Sequence, residues 1–135
     1  MPRIAYDLAR SSIVIDLLLE SANGTSSLLV PVVLDTGATI TLLATGILTQ
    51  LGYEPADPAL DHQRIVTGSG IEYAPFVTLR SASAIGQKVA NLEVLGHDLP
   101  AESGVDGLLG LNFLKHFKLT IGFRRGIVEL IKERR

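Results

Sequence analysis

With 135 residues, 47% of them hydrophobic and 19% charged, the chain is long enough for one domain with a real core and too apolar to be disordered. A formal net charge of −2, with no large basic block, argues against nucleic acid as the main partner. The absence of cysteine excludes disulfides, thiol chemistry and cysteine-based zinc sites.

The N-terminus, Met1-Pro2-Arg3-Ile4, lacks the apolar core of a signal peptide, and Asp16 and Glu20 interrupt the run that follows. No stretch approaches membrane-spanning length. The expected setting is soluble and cytoplasmic, with no membrane partner. A charged C-terminus, Lys132 to Arg135, reads as a solvated tail.

In chain order, Ile4 to Leu8 is a short strand. Ser12 to Glu20 is a second, with Ile13, Ile15, Leu17 and Leu19 on one face at period two. Asn23-Gly24 is a hairpin signal, because both residues tolerate positive φ. Leu28 to Leu34 returns as a strand apolar on both faces, hence central, with a bulge or an unpaired side expected at Pro31. After Asp35-Thr36-Gly37 the period changes. Leu43, Ile47 and Leu51 mark a short amphipathic helix that ends at Gly52, with Gly46 costing about 1 kcal/mol inside it. Tyr53 to Leu60 is a loop.

His62 to Thr67 and Ile71 to Arg80 form a hairpin around Gly68-Ser69-Gly70, with a bulge expected at Pro75. Ala82 to Gly86 turns the chain, Lys88 to Gly96 is a strand, and His97 to Gly104 is a polar loop. Val105 to Gly110 is again an apolar strand ending in glycine. Asn112 to Phe117 follows as a short helix, with Asn112 as its N-cap. Leu108, Leu109, Leu111, Phe113 and Leu114 read as core. A last hairpin turns at Arg124-Arg125-Gly126. Each half thus runs hairpin, strand, glycine turn, short helix. Many short strands with one helix per half indicate an all-β barrel-like or sandwich-like fold in a single domain, residues 1–135.

An acid delivered by an apolar strand onto a glycine turn has a chemical reading and a plain one. A buried carboxylate must be hydrogen-bonded, paired or protonated, whereas Asp-x-Gly turns are ordinary. His62, His97 and His116 have no ligand spacing, and no metal or cofactor is expected. Asp106 reads as a turn residue.

The segment Val33-Leu34-Asp35-Thr36-Gly37-Ala38-Thr39 resembles the active-site motif of the retropepsin-like aspartic proteases, the single-lobe relatives of pepsin. Three further features fall in the family's order: the hairpin tip Gly68-Ser69-Gly70 at the flap position, Leu108-Leu109-Gly110 after the second crossing strand, and the helix start Asn112-Phe113-Leu114. The resemblance implies a retropepsin-like acid-protease barrel with one or two short helices. It implies hydrolysis of a peptide bond by water held between two aspartates that share one proton, one acting as base and the other as acid. This dyad is a standard example of two coupled carboxylates.

With one Asp-Thr-Gly per chain, the second acid must come from another copy, which implies a homodimer with one Asp35 from each subunit. The resemblance makes Asp35, Thr36 and Gly37 the catalytic triplet. Thr36 would brace the two loops across the dimer axis, and Gly37 would let backbone approach the carboxylate. It assigns Ala38, Thr39 and the tip Gly68, Ser69 and Gly70 to binding a peptide or protein substrate laid down as an added strand.

Two features depart from the family. Thr39 and Leu111 stand where retroviral members carry a paired aspartate and arginine, so the pair is absent as a unit and the chain resembles a cellular branch. Ala38 lacks the hydroxyl that pepsin-like relatives place there. The alternative reading on the same fold is a non-catalytic dimeric peptide-binding module.

Overall fold

Alternation of apolar and polar residues at period two produces most of what folds here. The computed structural model describes residues 2–133, so Met1, Arg134 and Arg135, the last two part of the expected charged tail, lie outside the described residues. Among the described residues the strands are β1 (Arg3–Ala5), β2 (Val14–Glu20), β3 (Ser27–Leu34), β4 (Thr41–Leu43), β5 (His62–Thr67), β6 (Gly70–Ala84), β7 (Gln87–Gly96), β8 (Gly107–Leu109), β9 (Phe117–Gly122) and β10 (Ile127–Lys132). The helices are α1 (Thr45–Gln50) and α2 (Leu111–Leu114), and a single 3-10 turn covers Ala101–Ser103.

Six of these strands close on themselves in the order β2-β3-β8-β4-β7-β6, and β6 returns to β2 through Leu18↔Ser83 and Leu19↔Ala82. The closed ring leaves no free edge within the barrel. Two pairs, β3 with β8 and β4 with β7, are parallel, and the others are antiparallel. These parallel pairs are the structural form of the repeat seen in the two halves. A second antiparallel sheet, β1-β10-β9, is formed by the chain termini.

The inward residues of β2 are Ile15, Leu17 and Leu19, as the alternation requires, and they meet Val30, Val32 and Leu34 of β3. Val77, Leu79, Leu92, Val94, Leu109 and Phe113 complete the core, while Val128 and Leu130 of β10 join it from the terminal sheet. Each such side chain contributes about 1.5–3 kcal/mol by leaving water. The outward face is less apolar in context than in sequence: β3 is central, but Leu29 and its register partner Leu18 are 57% and 41% exposed.

Several local expectations change. Pro31 sits opposite Asp16 in unbroken register, so there is no bulge. The bonds Leu34 N–H to Ile13 O and Ser21 N–H to Ser26 O place the hydrogen-bonded pairs at odd positions of β2. Pro31 therefore faces away from β2, on the side where the β8 ladder begins one residue later at Val32. Pro75 also makes no bulge. It marks the point where β6 leaves β5 and joins β7 at Phe76. In the first hairpin only Gly24 has positive φ, +74°, while the Asn23 side chain accepts bonds from the Ser21 and Thr25 hydroxyls and the Thr25 N–H.

Leu43 belongs to β4 rather than to α1, because the strand runs on to pair with Gly96 of β7. The first strand stops at Ala5, where an Asp7 turn takes over. The turn expected over Ala82–Gly86 shrinks to Ile85-Gly86, with φ of +51° and +73°. A β-branched residue there costs about 1–3 kcal/mol. Burial of the Ile85 side chain, 6% exposed, returns a similar amount.

Gly46 lies in the first turn of α1, is exposed, and has nothing within 4 Å of an added Cβ. Gly46→Ala is expected to raise unfolding stability by about 0.5–1 kcal/mol in urea titration, through reduced freedom of the unfolded chain. A loss of stability would contradict the helix assignment.

Candidate active site

The Asp35 loop leaves the end of β3 and is held by backbone bonds before any side chain acts. Asp35 N–H donates to Leu109 O of β8 at 3.0 Å, and Ala38 N–H donates to Asp35 O at 3.2 Å. The turn brings Gly37 N–H to within 2.8 Å of the Asp35 carboxylate oxygen Oδ1. An added Cβ at Gly37 would lie 3.1 Å from that same oxygen, so glycine lets the amide and carboxylate meet without crowding. Asp35 is half-buried in the single chain rather than fully enclosed. Thr36, Gly37 and Thr39 are exposed, and Ala38 is half-buried.

The second glycine turn supports the first. Leu111 N–H donates to Ala38 O at 2.8 Å, and Asn112 N–H donates to Thr39 O at 3.1 Å, so the Asp35 loop satisfies the first amides of α2. Gly110 has no room for a side chain: an added Cβ would stand 2.7 Å from Ala38 O and 2.9 Å from Thr41 N. Both obstacles are backbone, so a larger residue would displace the loop carrying Asp35.

Asn112 was expected to cap α2, but Gly110 takes that position and Asn112 lies within the helix. Its side chain instead reaches back across the fold. Oδ1 accepts from Thr41 N–H and from the Thr41 hydroxyl, each at 2.8 Å, and Nδ2 donates to Glu93 O. The Thr41 oxygen in turn accepts from Gly110 N–H at 3.0 Å. Thr41 is fully buried. Neither role was read from the sequence; the available signal was a lone hydroxyl residue at an inward position between Ile40 and the apolar pair Leu42-Leu43. Asp106 is a turn residue as expected, donating its N–H to Pro31 O and accepting from Ala44 N–H. Leu109, Phe113 and Leu114 are buried, but Leu111, expected in the core, is 40% exposed.

The hairpin β5–β6 projects from the barrel, since β5 ladders with β6 alone. Thr67 pairs with Gly70, so the tip is a two-residue turn, Gly68-Ser69, and Gly70 is already in strand with φ +127°. The Thr67 hydroxyl accepts from Ser69 N–H and donates to Gly70 O, closing the tip on itself. Among the described residues, no hydrogen bond joins this tip to the Asp35 loop. Val66 and its partner Ile71 are 75% and 57% exposed, an apolar surface on the projecting hairpin.

A family model for aspartyl proteases matches residues 21–113, from the first hairpin through the Asp35 loop and the projecting hairpin into α2. The chain belongs to the aspartyl protease family. Its fold is that of the retropepsin-like branch: it is similar to the crystal structure of a retropepsin-like aspartic protease from Rickettsia conorii, with a TM-score of 0.68 and 24% identity over 95% of this chain and 87% of that one. No curated protein matches the sequence. No helix among the described residues is long and apolar enough to cross a membrane.

Asn112→Ala is expected to strand the buried Thr41 amide without an acceptor and to lower stability by about 1–3 kcal/mol. Chemical denaturation measures this directly. A change below about 0.5 kcal/mol would mean the network does not hold the loop.

Proposed function

We propose that the protein is a homodimeric aspartic endopeptidase, in which the Asp35 carboxylates of two copies hold and activate one water. The observation that carries this reading is the Asp35 loop itself. It presents a half-exposed carboxylate, oriented by Gly37 N–H, at an exposed Thr36-Gly37 tip that a second copy can meet. A lone carboxylate lacks the paired acid that the chemistry needs. One copy's Asp35 would take a proton from water as it attacks the peptide carbonyl, while the partner's protonated carboxyl donates its proton to the carbonyl oxygen. The first Asp35 would then pass the proton taken from water to the leaving amine as the C–N bond breaks, and the diol hydroxyl would return a proton to the partner carboxylate.

Thr36 would brace the two loops, and Ala38 and Thr39 would meet the substrate backbone. The tip at Gly68, Ser69 and Gly70 would fold over an extended peptide and exclude water. The exposed Val66 and Ile71 suit that role, because they have apolar surface to lose on closure. A single domain acting in the cytoplasm, without cofactor, completes the proposal.

The test is cleavage of a diverse peptide mixture from about pH 3 to 8 by wild type and Asp35→Asn side by side. Cuts by the wild type, lowered at least about a hundredfold in the variant, are the expected result. Equal cutting by both would remove Asp35 from the chemistry. Tight peptide binding by a folded dimer that cuts nothing would favour a binding module.

A further inference from the structure

The charges of this chain are segregated. Residues 11–114, which hold the barrel, the Asp35 loop and the projecting hairpin, contain three Lys or Arg (Arg64, Arg80, Lys88) against eleven Asp or Glu, a formal charge of −8. The remaining residues, 1–10 and 115–135, contain nine against three, a formal charge of +6. The near-neutral total of −2 hides a strongly acidic half around the candidate site.

Within that half lies an open cavity of about 900 Å³, bounded by the projecting hairpin on one side and by α1 and the loop after β7 on the other. Its wall begins at Thr67 and Ser69 of the hairpin tip, so a chain laid beneath the tip passes its mouth. Tyr73, next to Glu72 on β6 and paired in register with Arg64, also borders the cavity. Glu72 and Asp98 supply two carboxylates. Glu72 Oε2 lies 3.7 Å from His97 Nε2. Among the described residues Asp98 bonds through Oδ1, accepting from the Thr45 N–H and hydroxyl, and no such bond engages Oδ2, which is available to a ligand. Two of the bounding loops add to the field: residues 51–61 carry Glu54, Asp57 and Asp61, and residues 97–106 carry Asp98, Glu102 and Asp106, with no Lys or Arg in either. A cavity bordered by two carboxylates within a surrounding negative potential suits a cation.

We propose that this cavity is a specificity pocket that takes an arginine or lysine side chain of the bound peptide, with Glu72 and Asp98 facing the charge. The inference rests on the peptidase reading for its substrate and on the cavity for its chemistry. It makes basic segments of proteins the preferred substrates.

The test uses a peptide that the wild type cuts, resynthesised with arginine or its neutral isostere citrulline at each position flanking the cut. In the wild type, the arginine-to-citrulline ratio of kcat/KM is expected to reach about tenfold at one flanking position. In Glu72→Gln/Asp98→Asn, which keeps the Asp98 Oδ1 acceptor for Thr45, that ratio is expected to fall below about twofold. Glu72→Lys is expected to turn the preference at that position toward glutamate over glutamine. A wild type indifferent to arginine at every position, or a preference that survives the double variant, overturns the pocket.

If the wild type cuts no peptide, the peptidase reading fails by itself, and the pocket is then read by NMR titration with Nα-acetyl-arginine amide. Shifts at the Ser69, Glu72, Tyr73, His97 and Asp98 amides that Nα-acetyl-citrulline amide does not produce support it. Their absence overturns it.

Discussion

The missing side chain of Gly110 is the constraint on which the candidate site depends. At this point the backbone of the second glycine turn lies against Ala38, Ile40 and Thr41, closer than any Cβ allows. That approach lets the carbonyls of Ala38 and Thr39 accept the first amides of α2, and lets Gly110 N–H reach the Thr41 hydroxyl. Asn112 then locks Thr41 to β7. The loop bearing Asp35 is held by the other half of the chain as well as by its own Gly37 and Ala38 amides. A catalytic carboxylate needs such support, because small displacements of a reacting group are expensive in rate.

The same close approach follows from the doubled plan of the fold. Parallel pairing of β3 with β8 and of β4 with β7 brings the two strand-to-helix turns side by side. Gly107 serves the crossing as well: an added Cβ would strike Leu42 O and the Leu43 side chain. The projecting hairpin is built differently. Its long strand β6 is shared, gripping β7 in the barrel and β5 outside it, with Pro75 at the change of partner. The hairpin thus has a rigid root and a tip closed only by Thr67 and its neighbours.

Much of this was legible in the chain. The period-two faces of β2, the glycine turns and the hairpin at Gly68-Ser69 follow from local sequence, because each is decided by alternation or by permitted φ. Leu43 and Asn112 were misread because their roles are set by partners far away in sequence: β7 draws Leu43 into a strand, and Thr41, 71 residues earlier, engages Asn112. Pro31 and Pro75 looked disruptive, yet each sits where a ladder begins or changes sides, so no donor is missed. Ile85 in a left-handed turn defies its propensity because its side chain is buried there. The acid proposed for the candidate site was visible as Asp35, but its degree of exposure was not, since that depends on what covers the loop.

The central claim is that one site uses an Asp35 from each of two chains, and subunit mixing tests it most directly. Wild type and Asp35→Asn chains are mixed in equal amounts, allowed to exchange, and assayed against the same total wild-type concentration. If both carboxylates are needed, only wild-type pairs cut, and activity falls to about half of the unmixed value as half of the wild-type chains become trapped in mixed pairs. Retention of full activity after complete exchange would mean that each chain works alone, and would contradict the account.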